Sequence, residues 1–567
     1  MKLHLPKAVI LTLLAVGMLQ TYATAGVLVE LETGTSTAIT YSDGDLTVGT
    51  GDMVGALDAN GELITSFSSS VYTNDLTIKG NLIINGTGIV AVGGQASSNN
   101  QQGVSVGASY TVTVNGDAGS TNLISTYANI ANLVINSGGV SLHGGLTGGS
   151  GYIPGPKTAM ISNALTLNGG TLSMGTTGAQ PSVIGGQAHY LSALGGASNA
   201  ATVMQKGGTM RTYGDVVATT GLSLTQEGGN MAFRDRLVFT GTNGNVSTIT
   251  QRGGEGASLI IGHLADDTGS GFFKPKTDVK LDIAQEGAGN IKLAYGSNFT
   301  NVNGIVNIKQ TGTGKIYIGG GINNDDNVDL SGKHFSQFTS TNTTYTIDQE
   351  NSSGTVNLAS NAEINATSLK QGANATLNIN GTLNLSGTDN VVSGVVTLGT
   401  AGTLNLTGAL EVESGSTLHF DVAAKDRAAI NAAESGNLTV IASTVSVSMS
   451  ETLQSTMESE AMEKLETLDS FTYTIDLIKL SSADSEELAK LIDDEQLVLS
   501  MALPQTMATA SEDLDYTITQ GLQVEGNVLQ ATVTWQAVKA EEQIPEPATA
   551  TLSLLALAGL AARRRRR

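Results

Sequence analysis

Ile308-Lys309-Gln310-Thr311-Gly312-Thr313-Gly314-Lys315-Ile316-Tyr317-Ile318 sets a strand, a glycine turn and a second strand in one short stretch. Each half alternates apolar and polar with a period of two, the signature of a strand with one buried face. The glutamine recurs in the same frame at Gln205, Gln226, Gln251, Gln285, Gln310, Gln349 and Gln371. An aliphatic stands two residues before each: Val203, Leu224, Ile249, Ile283, Ile308, Ile347 and Leu369. A glycine follows within two residues at Gly207, Gly228, Gly253, Gly287 and Gly312. The spacings are 21, 25, 34, 25, 39 and 22. The short ones fit one coil of a β-solenoid, and the long ones a coil with an insertion. A strand–turn–strand unit cannot cover its apolar row alone, whereas coils stacked at ~4.8 Å bury that row continuously. Glutamine at one equivalent site per coil builds an amide ladder or occupies a solvated turn, and the spacing leaves both open.

Similar alternation flanks this core on both sides. Asp75–Gly86, Asn129–Gly139 and Ala164–Gly175 each read as strand pairs with glycine punctuation, separated by glycine-bearing excursions at Gly93–Gly103 and Gly144–Pro156. Thr376–Leu385 and Gly402–Gly408 continue in a plainer form, Thr-Leu-Asn-Ile/Leu, which resembles the autotransporter-type β-strand repeats of secreted bacterial passenger proteins. No outer-membrane barrel segment follows, so that export route is not expected. Past Ala442 the composition shifts. Helices are expected over Glu451–Leu468 and Ser485–Gln496, with Ser485 as N-cap. Strands are expected at Phe471–Leu480, Leu497–Leu503, Tyr516–Thr519 and Asn527–Val538. This small α+β module is expected to cap the open end of the stack.

Composition sets the function classes. The 567 residues include 70 glycines, 8 prolines, 4% aromatics and no cysteine, so disulfides, thiolate metal sites and cysteine nucleophiles are excluded. Net charge is −22, and loss of Lys2, Lys7 and five terminal arginines would leave about −29. Such a body should repel nucleic acid and anionic lipid, leaving neutral polymers, cations or basic surfaces as partners.

A search for chemistry finds little. His143, His189, His263, His334 and His419 form no i, i+4 pair. Gly103-Val104-Ser105-Val106-Gly107 matches G-x-S-x-G, but another strand pattern follows it where a nucleophile elbow needs a helix. Asn323–Asp329 gathers oxygen ligands, making Asp325, Asp326 and Asp329 calcium candidates, although the EF-hand order is absent and an Asx-rich turn is the better explanation. Asp235 between Arg234 and Arg236 is the one dense acid–base cluster in the repeats, a solvated patch or part of a polysaccharide-cleaving site. Trp535 is expected in the core of the C-terminal module.

Both ends carry address signals. Lys2 and Lys7, the apolar run Ala8–Leu19 and Ala23-Thr24-Ala25 form a secretory signal with cleavage after Ala25. At the other end stand Pro545-Glu546-Pro547, the uncharged run Ala548–Ala562, and Arg563, Arg564, Arg565, Arg566 and Arg567. As a helix the run spans roughly 22 Å at ~1.5 Å per residue, short of the ~30 Å hydrocarbon core. The arginines mark the cytoplasmic side. This order resembles the PEP-CTERM sorting signal of Gram-negative bacteria. The resemblance implies recognition by an exosortase, a membrane transpeptidase-like enzyme, which removes the peg.

The expected fold is therefore all-β. Residues 1–25 form a signal peptide, 26–441 an elongated β-solenoid (parallel β-helix), 442–543 a small α+β module, and 544–567 a sorting segment with a hydrophobic helix. The expected function is that of an exported, non-enzymatic cell-surface or extracellular-matrix protein. It would be membrane-anchored transiently and need no cofactor. Its partners would be an exosortase-type enzyme, the secretion machinery and possibly glycans, with no nucleic acid. A glycan-binding adhesin and a β-helix polysaccharide-degrading enzyme are the alternatives.

Overall fold

The computed structural model describes residues 26–35, 37–67, 71–97, 100–143, 145–147, 159–175, 189–194, 200–213, 215–218, 220–233, 237–239, 246–261, 279–293, 304–322, 328–329, 338–339, 343–434, 437–481, 489–490, 497–501 and 516–537. Among these the protein is nearly all β, built on two long sheets of 17 and 29 strands. Almost every pairing in them is parallel, between a strand and its counterpart one coil later, which gives the chain β-solenoid character. Gly304–Gln310 lies in register between Val279–Gln285 and Thr343–Gln349. Across the Gly312–Gly314 turn, Lys315–Ile318 lies between Asn290–Leu293 and Thr355–Leu358.

The larger sheet bends to make two faces. Ala362–Gln371 pairs through its first half with Thr382–Leu385 and through its end with Asn390–Val392. Later coils therefore carry three strands: Val395–Leu398 on the smaller sheet, then Thr403–Leu406 and Leu410–Val412 on the larger. The Gln95–Ser97 and Asn100–Gln101 hairpin stands apart from both sheets, within the first expected excursion.

Alternation decides what is buried. Ile249, Ile283, Ile308, Ile347 and Leu369 align rung over rung and are at most 1% exposed. Leu377, Val396, Leu418 and Val445 form a similar row on the smaller sheet. Each such side chain stabilises by roughly 1.5–3 kcal/mol on removal from water. The turns are glycine for two reasons. Gly208 has φ +69°, and a Cβ there would meet the Gly170 carbonyl oxygen of the preceding coil at 2.3 Å. Gly312 lacks the positive φ, but its Cβ would lie 2.0 Å from the Gly287 oxygen.

The stacking runs past the composition shift at Ala442. Ser443–Met449 pairs in parallel with Thr417–Val422, and Leu497–Met501 pairs in parallel with Ser443–Met449. The expected module thus shares a sheet with the stack, because its strands keep the alternating inward residues Val445, Val447 and Met501. Ser470–Leu480 begins the departure. Its end pairs in parallel with Ile430–Ala432, while most of its length pairs antiparallel with Val528–Ala537, which in turn pairs with Tyr516–Glu525.

Helix α1, Glu451–Leu465, starts at Ser450, whose hydroxyl accepts from the Leu453 amide. Its buried stripe is Leu453, Met457, Ala461 and Leu465. It ends three residues short of the expected Leu468, where the Thr467 hydroxyl donates to the Lys464 carbonyl. Lys425 ties the helix down, 3.4 Å from the Glu460 carboxylate and 5.1 Å from the Tyr473 ring centre. Of the expected second helix only Ala489 and Lys490 are described, and both are helical. Among the described residues no helix is long and apolar enough to cross a membrane, and the expected C-terminal helix lies outside them.

Candidate functional site

The seven glutamines form one interior column, each at most 2% exposed, so the solvated-turn alternative is ruled out. Side chain to side chain bonds occur twice: Gln226 Nε2 donates to Gln205 Oε1 at 3.2 Å, and Gln349 Nε2 to Gln310 Oε1 at 2.7 Å. The commoner partner is backbone. Gln285 Nε2 donates to the Gly287 and Gly289 carbonyls at 2.5 and 3.0 Å. Gln205 reaches the Asn230 carbonyl and Gln226 the Ser258 carbonyl, both in the next coil. From Gln205 to Gln310 each amide thus closes a glycine turn whose carbonyls point inward, whereas Gln349 and Gln371 reach the Thr376 and the Ala375 and Val395 carbonyls, and several staple their turn to the coil above. This is a structural device, fully buried and closed to ligands.

Register shows where the column begins and ends. Ile84, Val114, Ile135 and Leu167 precede Gln205 in the same line, and Val392, Val412 and Val440 follow Gln371. In the flanking coils another residue serves the turn. Asn390 Nδ2 donates to the Gly387 and Ala409 carbonyls at 2.6 and 2.7 Å, and its Oδ1 accepts from the Leu369 amide at 2.8 Å.

Outward-facing amides form ladders that can meet a ligand. Asn384 Nδ2 donates to Asn365 Oδ1 at 3.0 Å, Asn405 to Asn384 at 2.8 Å, and Asn431 to Asn405 at 3.0 Å. The next rung in register with Asn431 is Lys479. Here the surface opens into a groove of about 310 Å³ lined by Asn405, Thr407, Asn431, Ala432, Lys479 and Ser481, among others. The ladder escaped the sequence reading although its signal was present: asparagine between aliphatics at Leu383-Asn384-Leu385, Leu404-Asn405-Leu406 and Ile430-Asn431-Ala432.

A second polar cluster joins adjacent coils of the smaller sheet. His419 Nδ1 lies 2.9 Å from Ser446 Oγ, and Nε2 lies 3.1 Å from Asp421 Oδ1 and 3.3 Å from Ser448 Oγ. With Asp421 accepting from Nε2–H, Nδ1 is left to accept from the Ser446 hydroxyl. These are the residue types of a hydrolytic triad, but an acyl-transfer site also needs free donors beside the nucleophile. Ser443–Met449 is hydrogen-bonded on both sides along this stretch, so its amides are committed to the sheets. The cluster therefore reads as a fastening between neighbouring coils.

The residues singled out in the sequence fare differently. Ser105 lies mid-strand between Thr77 and Asn129, not on an elbow, so G-x-S-x-G is a chance match. His143 is described, and burial pushes its imidazole below the usual range. Trp535 is 6% exposed and stacks on Phe471 with ring centres 6.0 Å apart. The Asp329 backbone pairs with Gly321, while Asp325 and Asp326 lie outside the described residues. So do Asp235 with its arginines, Ala23 and Ala25, Pro545, Glu546 and Pro547, and Arg563–Arg567. Among the described residues no three His, Asp or Glu side chains gather as a metal site would require. No family model matches the chain, and no curated protein or solved structure is significantly similar to it.

Proposed function

We propose that this chain is an exported, non-enzymatic cell-surface or extracellular-matrix protein sorted through its C-terminal segment. One observation carries the reading: Pro545-Glu546-Pro547, the apolar run Ala548–Ala562 and Arg563–Arg567 stand in that order at the end of the chain. In this reading residues 1–25 direct secretion. Ala548–Ala562 forms a short apolar helix that the arginines stall in the bilayer. An exosortase-type enzyme then severs the peg at the Pro-Glu-Pro hinge and leaves the solenoid in the envelope. A cysteine-free body that draws its stability from coil stacking suits this route, since no oxidative step is needed.

The test is fractionation with mass spectrometry of both termini, comparing wild type with Pro547→Ala. Wild type is expected to begin near Gly26, to lack Arg563–Arg567 and to leave the inner membrane. Pro547→Ala is expected to stay in the membrane with its arginines. Recovery of mature wild type with the arginines intact would overturn the reading. The amide-lined groove favours a second reading, a glycan-binding adhesin on the same body.

A further inference from the structure

We propose that the groove at the end of the asparagine ladder binds a carboxylate-bearing saccharide. Lys479 would meet the carboxylate, and the Asn405 and Asn431 amides the ring hydroxyls. The inference deepens the adhesin reading and stands independently of how the tail is sorted.

Three observations carry it. First, Lys479 is exposed and lines the groove, and its ammonium has no ion pair or hydrogen bond with any described residue. Second, the ladder is unfinished at that rung. Asn431 spends one N–H on Asn405. Its second N–H and its Oδ1 have no partner among the described residues, and Asn405 likewise spends only one N–H, on Asn384. Each free carboxamide offers a donor, and Asn431 an acceptor beside it, which matches neighbouring hydroxyls. Third, no carboxylate lines the groove. The nearest along the same strand, Asp476, accepts from Gln530 Nε2 at 2.7 Å. Lys479 is thus a lone cation in a neutral polar wall.

The net charge of −22 argues against an anionic partner for the body as a whole. Locally the balance differs, because the Debye length is ~8 Å at physiological ionic strength and more distant carboxylates are screened. The groove is at the small end of ligand pockets, which run ~300–1,000 Å³, so it holds a sugar or two and not a folded partner. Beyond Asn405 the ladder meets a carboxylate, since Asn384 Nδ2 also donates to Glu363 Oε1 at 3.3 Å, so the acidic sugar is confined to the Asn405–Lys479 end.

The test is calorimetric titration of the purified chain with tetragalacturonate, with its neutral methyl ester as control. Saturable binding of the acid, falling as salt is raised, is expected, with much weaker binding of the ester. Lys479→Gln is expected to weaken acid binding by about tenfold or more, and Asn431→Ala by several-fold, with unchanged circular dichroism. Absence of saturable binding, equal binding of acid and ester, or full binding by Lys479→Gln would each overturn the proposal. None of these outcomes touches the sorting reading, which depends on the mature C-terminus alone.

Discussion

The line of residues from Ile84 to Val440 occupies one position in the stack yet changes chemistry twice. Between Gln205 and Gln371 it is seven buried amides, and on either side it is aliphatic. The amide coils let turn carbonyls point inward and satisfy them from the residue that ends the preceding strand. The aliphatic coils keep this line apolar and satisfy their turns from other residues. Ser416 Oγ donates to the Val392 and Glu413 carbonyls at 3.0 and 2.5 Å, and Ser443 Oγ to Glu413 at 3.1 Å. A coil must answer its inward carbonyls, while the residue that answers is free to move.

Four sets of substitutions test this contrast. Gln310→Glu should be the most damaging. Its carboxylate would face the Gly314 and Thr355 carbonyls that the amide now serves at 2.9 and 3.4 Å. The loss should be roughly 3–5 kcal/mol at neutral pH, the scale of a buried charge without an ionic partner, because Gln349 Nε2 offers it only one hydrogen bond. Burial would raise this carboxyl above its unfolded value of ~4.3, so the deficit should shrink as pH falls toward 4. Urea unfolding across pH 4–8 checks both size and sign, and a pH-independent deficit would contradict it.

Asn390→Ala comes next, at about 2–4 kcal/mol, because it orphans two carbonyls and the Leu369 amide together. Hydrogen exchange at Leu369 should rise most. The reciprocal pair Gln285→Leu and Val412→Gln should each lose about 1–3 kcal/mol for opposite reasons. The first strands the Gly289 carbonyl, while Gly287 keeps the Thr313 and Gly314 amides, and the second buries an amide where serines already serve the turn. If Val412→Gln melts like wild type, turn chemistry does not set the column. The smallest effect is a gain. Ala442 has φ +42°, the sole positive value outside glycine among the described residues. Ala442→Gly should stabilise by about 0.5–1 kcal/mol in the same unfolding assay.

Much of the fold was legible because a solenoid repeats its physics. The glutamine frame, the aliphatic two residues earlier and the glycine turn each mark the same point of successive coils, and all fall in register. What the amides bond to was not legible. Spacing fixes where Gln285 stands but not that its Nε2 turns to Gly289 instead of Gln251. That the sheets run on past Ala442 was not legible for a related reason. A shift in composition looks like a boundary, yet Val445 and Val447 keep the inward alternation that sheet pairing follows. The groove depends on side chains brought together from strands far apart in sequence. Asn405 and Asn431 carry a local signal, but Lys479 lies beyond a helix and joins them only through the Asn431–Lys479 register.

Stacking in sequence order also dictates how the molecule would yield to force. The first coil lies at one end and the last at the other, so a pull on the two termini runs across the strands and strains a single inter-coil seam at a time. The chain should therefore unzip stepwise, with the insertion-bearing coils paying out the longest lengths. A 25-residue unit adds roughly 85 Å of slack at ~3.3–3.6 Å per residue, from a layer only ~4.8 Å thick. Single-molecule extension should show a saw-tooth of increments graded by coil length, the behaviour of a tether that dissipates a load gradually.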